Sequence, residues 1–220
     1  MRLFGISALL VIVLTASSFA QSEARGAKER ICKLPVKDLQ IEARNINLLM
    51  SKLAYQYNVA ISLEVAIDDD LLSSKHIKLN VKKGTLADVL DDIVEQQPSY
   101  TWESSESTIR VFPKQEKRDP LLQALLETTI SHFVIPRSTA RLTIKQTLTN
   151  RHELKDLLAS NGVRLSKEIF SSHEIQSIGR DFSLDLENIL VRGILDYMIQ
   201  NSQTRYWSVR RSGDSLWINF

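Results

Sequence analysis

One pattern of apolar residues occurs twice in this chain, and it limits the possible folds more than any other feature. The two copies run over residues 76–112 and 181–220. Each begins with apolar residues at every second position, as in a half-buried strand, and continues with the spacing of an amphipathic helix. The segment from Ile77 to Trp102 aligns with the second copy without a gap, at a constant offset of 105 residues. A fragment of this size cannot bury a sheet face and a helix face alone, so we expect the remaining chain to complete two units.

A strand-helix-strand pattern precedes the first copy. Leu39–Ile41 predicts a strand, and the apolar stripe from Ile46 to Tyr57 predicts a helix. Asn45 is the expected N-cap of this helix, and Asn58 is expected to end it in the left-handed conformation. Residues 59–63 predict the next strand.

The helix of the first repeat copy carries its own start signal. Thr85 and Asp88 have the spacing of a capping box, in which each side chain accepts from the other residue's backbone N–H. The second copy has Leu190 in the place of Thr85 and therefore lacks this signal.

The predicted fold class is α+β, with two tandem β-α-β/β-α-β-β modules whose helices pack on small mixed sheets. We place the first module at residues 34–113 and the second at 133–220. Leu142–Ile144 is the expected first strand of the second module. Residues 114–132 are expected to connect the modules.

The connector itself predicts a short helix. Asp119 is an expected N-cap followed by Pro120, and an apolar stripe runs from Leu121 to Ile130. Such a stripe usually faces a core, which favours packing against one of the modules, and docking of a partner is the alternative.

The N-terminus predicts export. Residues 1–20 have the three parts of a cleaved secretory signal peptide: a positive start, an apolar run and small residues before the cut. The apolar run is shorter than the ~18–20 residues of a bilayer span, so an uncleaved anchor is the minor alternative. Residues 21–33 are expected to form a loose mature terminus, and no second apolar run follows. Cys32 has no cysteine partner, which favours a small packed side chain over an intermolecular disulfide.

Charge argues against nucleic-acid binding. The net charge is only +2, whereas binding to nucleic acid needs concentrated positive charge. Residues 33–113 hold 9 Lys and Arg against 12 Asp and Glu, and residues 136–220 hold 12 against 9. The resulting charges of −3 and +3 are either ordinary scatter or a sign that the halves attract different partners or each other.

The sequence contains no group of residues with convergent catalytic roles. Seven glycines are too few for a phosphate loop or a dinucleotide fingerprint, and no nucleophile elbow is present. None of the four histidines lies three to five residues from another, and Asp68–Asp70 lacks the glycine and glutamate of a calcium loop. We therefore expect no enzyme activity, no cofactor and no metal site.

Two groups of residues are candidate binding surfaces for a partner. An acidic helix face is suited to a basic partner, although such a face is most often only solvated; its members are Asp88, Asp91, Asp92 and Glu95. A second group combines the residue types that anchor protein interfaces, and strand alternation places it opposite the core; its members are Tyr206, Arg210 and Trp217. The alternatives for the second group are a face covered by the connector helix or the other sheet, and a surface that stacks sugars.

The apolar series of residues 34–113 resembles a known family. Leu39-x-Ile41, Asn58-Val59, Gly84-Thr85-Leu86, Tyr100-x-Trp102 and Ile109-x-Val111 look like the short N-terminal domain of secretins and TonB-dependent transducers. Residues 139–220 resemble it more loosely. The resemblance implies a bacterial periplasmic module that binds proteins: inner-membrane components in secretins, and a transmembrane anti-sigma regulator in transducers.

The expected function follows from this resemblance. We expect no barrel, plug or secretin ring domain after the second module, as is typical of a free-standing adaptor. We expect a periplasmic, non-catalytic adaptor, with outer-membrane association as an option, that binds a secretin, an outer-membrane receptor or an inner-membrane regulator. Strand addition at a sheet edge is one mode of binding open to it. A protein that binds peptidoglycan or another glycan is the alternative.

Overall fold

A computed structural model describes residues 31–67, 76–105, 107–140, 146–166, 177–201 and 204–220. The predicted signal peptide at 1–20, the segment 21–30 and the expected strand at Leu142–Ile144 lie outside the described residues. The protein belongs to the α+β class, as the sequence predicts.

The described residues include five α-helices, a short 3₁₀ helix (Gln115–Lys117) and ten strands. The helices are α1 (Ile46–Tyr57), α2 (Leu86–Gln96), α3 (Pro120–Glu127), α4 (His152–Ser160) and α5 (Val191–Asn201). The strands are β1 (Pro35–Ala43), β2 (Ala60–Glu64), β3 (Ile77–Thr85), β4 (Tyr100–Ser105), β5 (Thr108–Pro113), β6 (Thr129–Ala140), β7 (Arg164–Leu165), β8 (Ser177–Leu190), β9 (Tyr206–Ser212) and β10 (Ser215–Asn219).

A single six-stranded sheet joins the two halves of the chain. Its order is β4-β5-β2-β9-β10-β7, and two antiparallel pairs, β1-β3 and β6-β8, lie apart from it. Each half contributes three strands in the same internal order, with a parallel pair (β2-β5 or β7-β10) next to an antiparallel hairpin. The sequence predicts one small sheet in each module, whereas here parallel pairing of β2 with β9 merges them. Buried backbone groups at a strand edge need partners, and each half satisfies the other's.

The helix boundaries of the first half follow their predicted capping signals. The side chain of Asn45 accepts a hydrogen bond from the backbone N–H of Leu48, and Asn58 ends α1 in the left-handed conformation with φ 51°. Thr85 and Asp88 form the predicted capping box at the start of α2. These caps satisfy backbone groups that a helix end leaves unpaired.

The connector helix packs in the core, as predicted. Leu121, Leu122, Leu125 and Leu126 of α3 are all buried in the hydrophobic cluster of the second half. The prediction that the stripe continues to Ile130 is wrong, because that residue lies on β6 opposite Ile189 of β8. The helix stops earlier since Thr128 turns out of it and its hydroxyl donates to the carbonyl of Ala124.

The two hydrophobic cores interlock at the junction of β2 and β9. Ala60 of β2 is buried in the cluster of the second half, and Tyr206 of β9 is buried in the cluster of the first half. Helix α1 packs on β9, and α5 packs on β2. Each half therefore completes its core with a residue and a strand of the other.

The packing of α3 predicts the effect of a core truncation. Leu126→Ala should lower the free energy of unfolding by about 2–5 kcal/mol, because the side chain is fully buried and its removal leaves a cavity. Gln123→Ala on the same helix is the matched control and should change it by less than about 0.5 kcal/mol. Denaturant unfolding monitored by circular dichroism measures both. Equal, small losses would mean that α3 is a docking helix and not part of the core.

Candidate protein-interaction surfaces

The two halves of the chain meet where β2 pairs in parallel with β9. Ile61 of β2 lies opposite Tyr206 of β9, and Glu64 lies opposite Val209. The backbone N–H of Ile61 donates to the carbonyl of Arg205 at 2.8 Å. Main-chain hydrogen bonds of this kind hold an added strand, while side chains on the two faces select which strand is accepted.

A buried aspartate on α5 supplies the first selective contact. Asp196 accepts hydrogen bonds from Arg110 of β5, with Nη2 at 2.7 Å and Nε at 3.2 Å, and from the indole N–H of Trp207 at 2.9 Å. Burial raises the pKa of Asp196, and Arg110 acts in the opposite direction. The carboxylate thus links the second half to a strand of the first half. A third polar contact joins Gln200 to Thr108 at 2.7 Å.

A buried glutamate at the end of β2 supplies the second selective contact between the halves. Glu64 lies 3.0 Å from Nη1 of Arg192 on α5 and 3.8 Å from Nη2 of Arg118. Burial raises the pKa of Glu64, and the two guanidinium groups lower it less strongly. A buried carboxylate needs such partners, because leaving either charge alone away from water is costly.

Tyr206 belongs to this internal junction and is not a surface residue. Its ring is 4% exposed, and its hydroxyl donates to the side-chain oxygen of Asn47 on α1 at 2.8 Å. Burial raises its pKa well above the usual range. The prediction that Tyr206 contacts an outside partner therefore needs correction: β9 turns it into the core of the first half.

The other two members of the predicted aromatic group lie opposite each other on the neighbouring strands β9 and β10. The guanidinium carbon of Arg210 on β9 lies 4.7 Å from the ring centroid of Trp217 on β10, and both residues are half-buried. This is a cation–π pair. The indole N–H of Trp217 is buried without a hydrogen-bond partner among the described residues.

The predicted acidic face lies on α2, and its four members have different roles. Asp88 is occupied by the capping box, and its hydrogen bonds from Thr85 lower its pKa. Asp91 accepts a hydrogen bond from the indole N–H of Trp102 on β4 at 2.8 Å. Asp92 and Glu95 are exposed beside it. Asp88 and Asp91 therefore have structural roles, and Asp91 is hydrogen-bonded to β4, the strand at one end of the sheet.

The Asp91–Trp102 pair is the repeat counterpart of the Asp196–Trp207 pair. Both residues of the second pair follow those of the first by 105 positions, the offset of the repeat. In the second half the pair is buried against the first half, whereas Asp91 is exposed in the first half. The aligned tryptophans are part of the predicted repeat, whereas the aligned aspartates were missed, although the same offset identifies them.

Within the described ranges, no three His, Cys, Asp or Glu side chains come together in an arrangement that could hold a metal ion. His132 on β6 lies 2.8 Å from Asp185 on β8, an exposed cross-strand pair. In the same part of the chain, no helix is long and apolar enough to cross a membrane.

The buried junction predicts a difference between repeat counterparts. Asp196→Ala should lower the free energy of unfolding by roughly 3 kcal/mol, because it leaves Arg110 without its carboxylate and Trp207 without its acceptor. Asp91→Ala removes the equivalent, exposed carboxylate and should cost less than about 1 kcal/mol. Urea unfolding of the two variants tests this. Equal losses would show that the junction does not depend on Asp196.

Glu64 predicts a pH dependence with a defined sign. Its pKa is higher in the folded protein than the ordinary 4.5, so folding favours the protonated form. The stability linked to this proton is present in full below the ordinary pKa and is lost as the pH rises through the raised pKa. The free energy of unfolding of the wild type minus that of Glu64→Gln should therefore fall as the pH rises from the ordinary pKa through the raised pKa. A difference that rises with pH would contradict the assignment.

Comparisons with protein-family models, with curated proteins and with solved structures give no match for this chain.

Proposed function

We propose that this protein is a non-catalytic, protein-binding adaptor of the bacterial cell envelope, and that it acts in the periplasm. Its binding mode is addition of a partner's strand to an open edge of the six-stranded sheet. The partner is a component of a secretion, pilus or TonB-type signalling system. The family resemblance of residues 34–113 and the predicted signal peptide support the location and the partner class.

One observation carries the binding mode: β9 of this chain is itself held as an added strand on the edge of β2. The contact combines a parallel main-chain ladder with buried charge pairs on the sheet face. β4 is an outermost strand of the same sheet and bears the repeat counterpart of that contact, the Asp91–Trp102 pair. An exposed strand edge is a template for pairing with another chain.

The alternative is binding of peptidoglycan or another glycan. The half-buried Trp217 with its stacked Arg210 favours this candidate, since aromatic rings stack on sugar faces. Only one indole and one guanidinium support it, and Tyr206, the third residue of the predicted group, is buried in the core. Strand addition is therefore the better-supported function.

Site-specific photo-crosslinking tests the proposed function. Full-length protein with a photoreactive amino acid at Glu103, an exposed position of β4, would be produced in the source bacterium and irradiated. The same amino acid at Tyr55, an exposed position of α1, is the matched control. We expect an adduct with a secretin, an outer-membrane receptor or an inner-membrane regulator at position 103 and not at position 55.

Two outcomes would contradict the proposal. Identical adducts at both positions would mean that β4 is not a binding edge. Binding to purified peptidoglycan that is lost in Trp217→Ala, without any protein adduct at position 103, would favour the glycan-binding alternative.

A further inference from the structure

The junction between the halves pairs two edge strands that have different positions in the repeat unit. The repeat counterparts of these two strands lie at the two ends of the sheet. β2 is the edge strand that the first half contributes, and β9 is the edge strand that the second half contributes. The counterpart of β9 in the first half is β4, and the counterpart of β2 in the second half is β7. Among the strands that the structure describes, β4 and β7 are the two outermost in this sheet. A contact between unlike surfaces leaves one surface of each kind free on a pair of copies, so the contact can be repeated from one copy to the next.

The backbone at β7 matches that at β2. Asn58 precedes β2 with φ 51°, and Gly162 precedes β7 with φ 61°. The N–H groups of Val59 and Val163 donate to equivalent helix carbonyls, at 3.0 Å and 2.9 Å. The N–H of Ser166, the residue after β7, donates to the carbonyl of Leu216 on β10. Strand alternation then turns the N–H of Leu165 to the outer edge, where Ile61 of β2 donates to β9.

The side chains on β4 match those that β9 and α5 use at the junction. Asp91 and Trp102 hold the same hydrogen bond as Asp196 and Trp207, and Asp91 is exposed. In the second half, this carboxylate completes its bonding with Arg110 from the neighbouring half. Among the described residues, Asp91 has no guanidinium partner of this kind, so its carboxylate can accept from an incoming arginine.

The end of the sheet at β7 offers that guanidinium. Arg110 lies beside Ser62 of β2, and Trp217 follows Leu216, which pairs with β7. Trp217 thus takes the place of Arg110, and Arg210 lies stacked on it. The guanidinium of Arg210 belongs to β9 and not to β10. Arg210 nevertheless lies on the same face of the sheet as Trp217, the counterpart of Arg110.

The charges of the two halves agree with this arrangement. Residues 33–113 carry 9 positive and 12 negative groups, a net −3, and residues 136–220 carry 12 and 9, a net +3. A head-to-tail contact places the acidic half of one copy against the basic half of the next. Head-to-head contact of two β4 edges would instead bring Asp91 and Glu95 against themselves, and like charges suppress such contacts.

We propose that copies of this chain associate head to tail, with β7 of one copy pairing in parallel with β4 of the next and Arg210 of the first copy facing Asp91 of the second. The proposal extends the strand-addition mode of the proposed function to a second copy of the chain. A row of copies keeps one open β4 at its end, where a different envelope protein binds.

Cysteine crosslinking tests the contact and its polarity. By the register of β2 and β9, Leu165 lies opposite Thr101 of the next copy. Paired strands are about 4.8 Å apart, within the range that a disulfide spans. Thr101→Cys and Leu165→Cys, each made with Cys32→Ser in the full chain, should form a disulfide-linked dimer when mixed under oxidising conditions and none when alone. A dimer of Thr101→Cys alone, or no dimer from a mixture of variants that melt as the wild type does, would overturn the proposal.

Charge exchange provides a second test that does not depend on cysteine variants. Sedimentation velocity over a concentration series should show self-association of the wild type, weakened about tenfold or more by Arg210→Glu and by Asp91→Arg. The double variant should regain most of the lost association, because the pair is reversed in sign but still complementary. Arg44→Glu, at an exposed position between β1 and α1 and outside the six-stranded sheet, is the control and should have little effect. A wild type that stays monomeric would overturn head-to-tail association.

The two proposals fail separately. A monomeric chain that still gives an envelope-protein adduct at position 103 retains the proposed function and loses the self-association. A chain that self-associates but forms adducts only with itself retains the head-to-tail contact and loses the adaptor function.

Discussion

The parallel pairing of β2 with β9 is the interaction on which the rest of the structure depends. It places β2 at the centre of the sheet, where all five of its residues are buried, and it brings α5 over the strands of the first half. Without it the six-stranded sheet would become two three-stranded sheets, each with an unpaired edge and an uncovered face. Asp196 and Arg110 would then face water, and Tyr206 would lose the core in which it is buried. The halves complete each other because neither buries its apolar surface alone.

The charged groups at this junction are suited to selecting the strand pair more than to strengthening it. Removing Asp196 and Glu64 from water costs free energy, which is the physical cause of their raised pKa values. Arg110, Arg192 and Arg118 offset that cost only where the geometry is right. A strand shifted by two residues would leave these charges buried and unpaired, so the penalty for a wrong register is large. We interpret the charge pairs as the device that fixes which edges meet.

The repeat gives the same local structure two different surroundings. Asp91 and Trp102 form the same hydrogen bond as their counterparts 105 residues later. The carboxylate of Asp91 is exposed, whereas Asp196 is buried, with 4% of its surface exposed. Local spacing sets the bond between helix and strand, whereas the neighbouring half decides whether water reaches it. The open copy is therefore informative about binding, because the buried copy shows what kind of surface such a face accepts.

Local signals in the sequence were enough to predict the helices and strands of the first half. Asn45, Asn58 and Thr85 act within a few residues of themselves, so their capping roles depend on nothing distant. The apolar spacing of α3 likewise predicted a packed helix. The predicted end near Ile130 is too late, because Ile130 lies on a strand that pairs with β8.

The tertiary structure decided which contacts the two repeat units make with each other. Arg110 and Asp196 are 86 residues apart, and Tyr206 reaches Asn47 across 159 residues. No periodic pattern encodes such a partner, because alternation states which residues share a face but not what covers that face. The sequence thus determined the elements, their caps and the repetition with offset 105. Only the folded chain decided that the two sheets merge, that Tyr206 is internal and that Asp91 remains at an open edge, since these depend on which edge hydrogen bonds are satisfied from outside each unit.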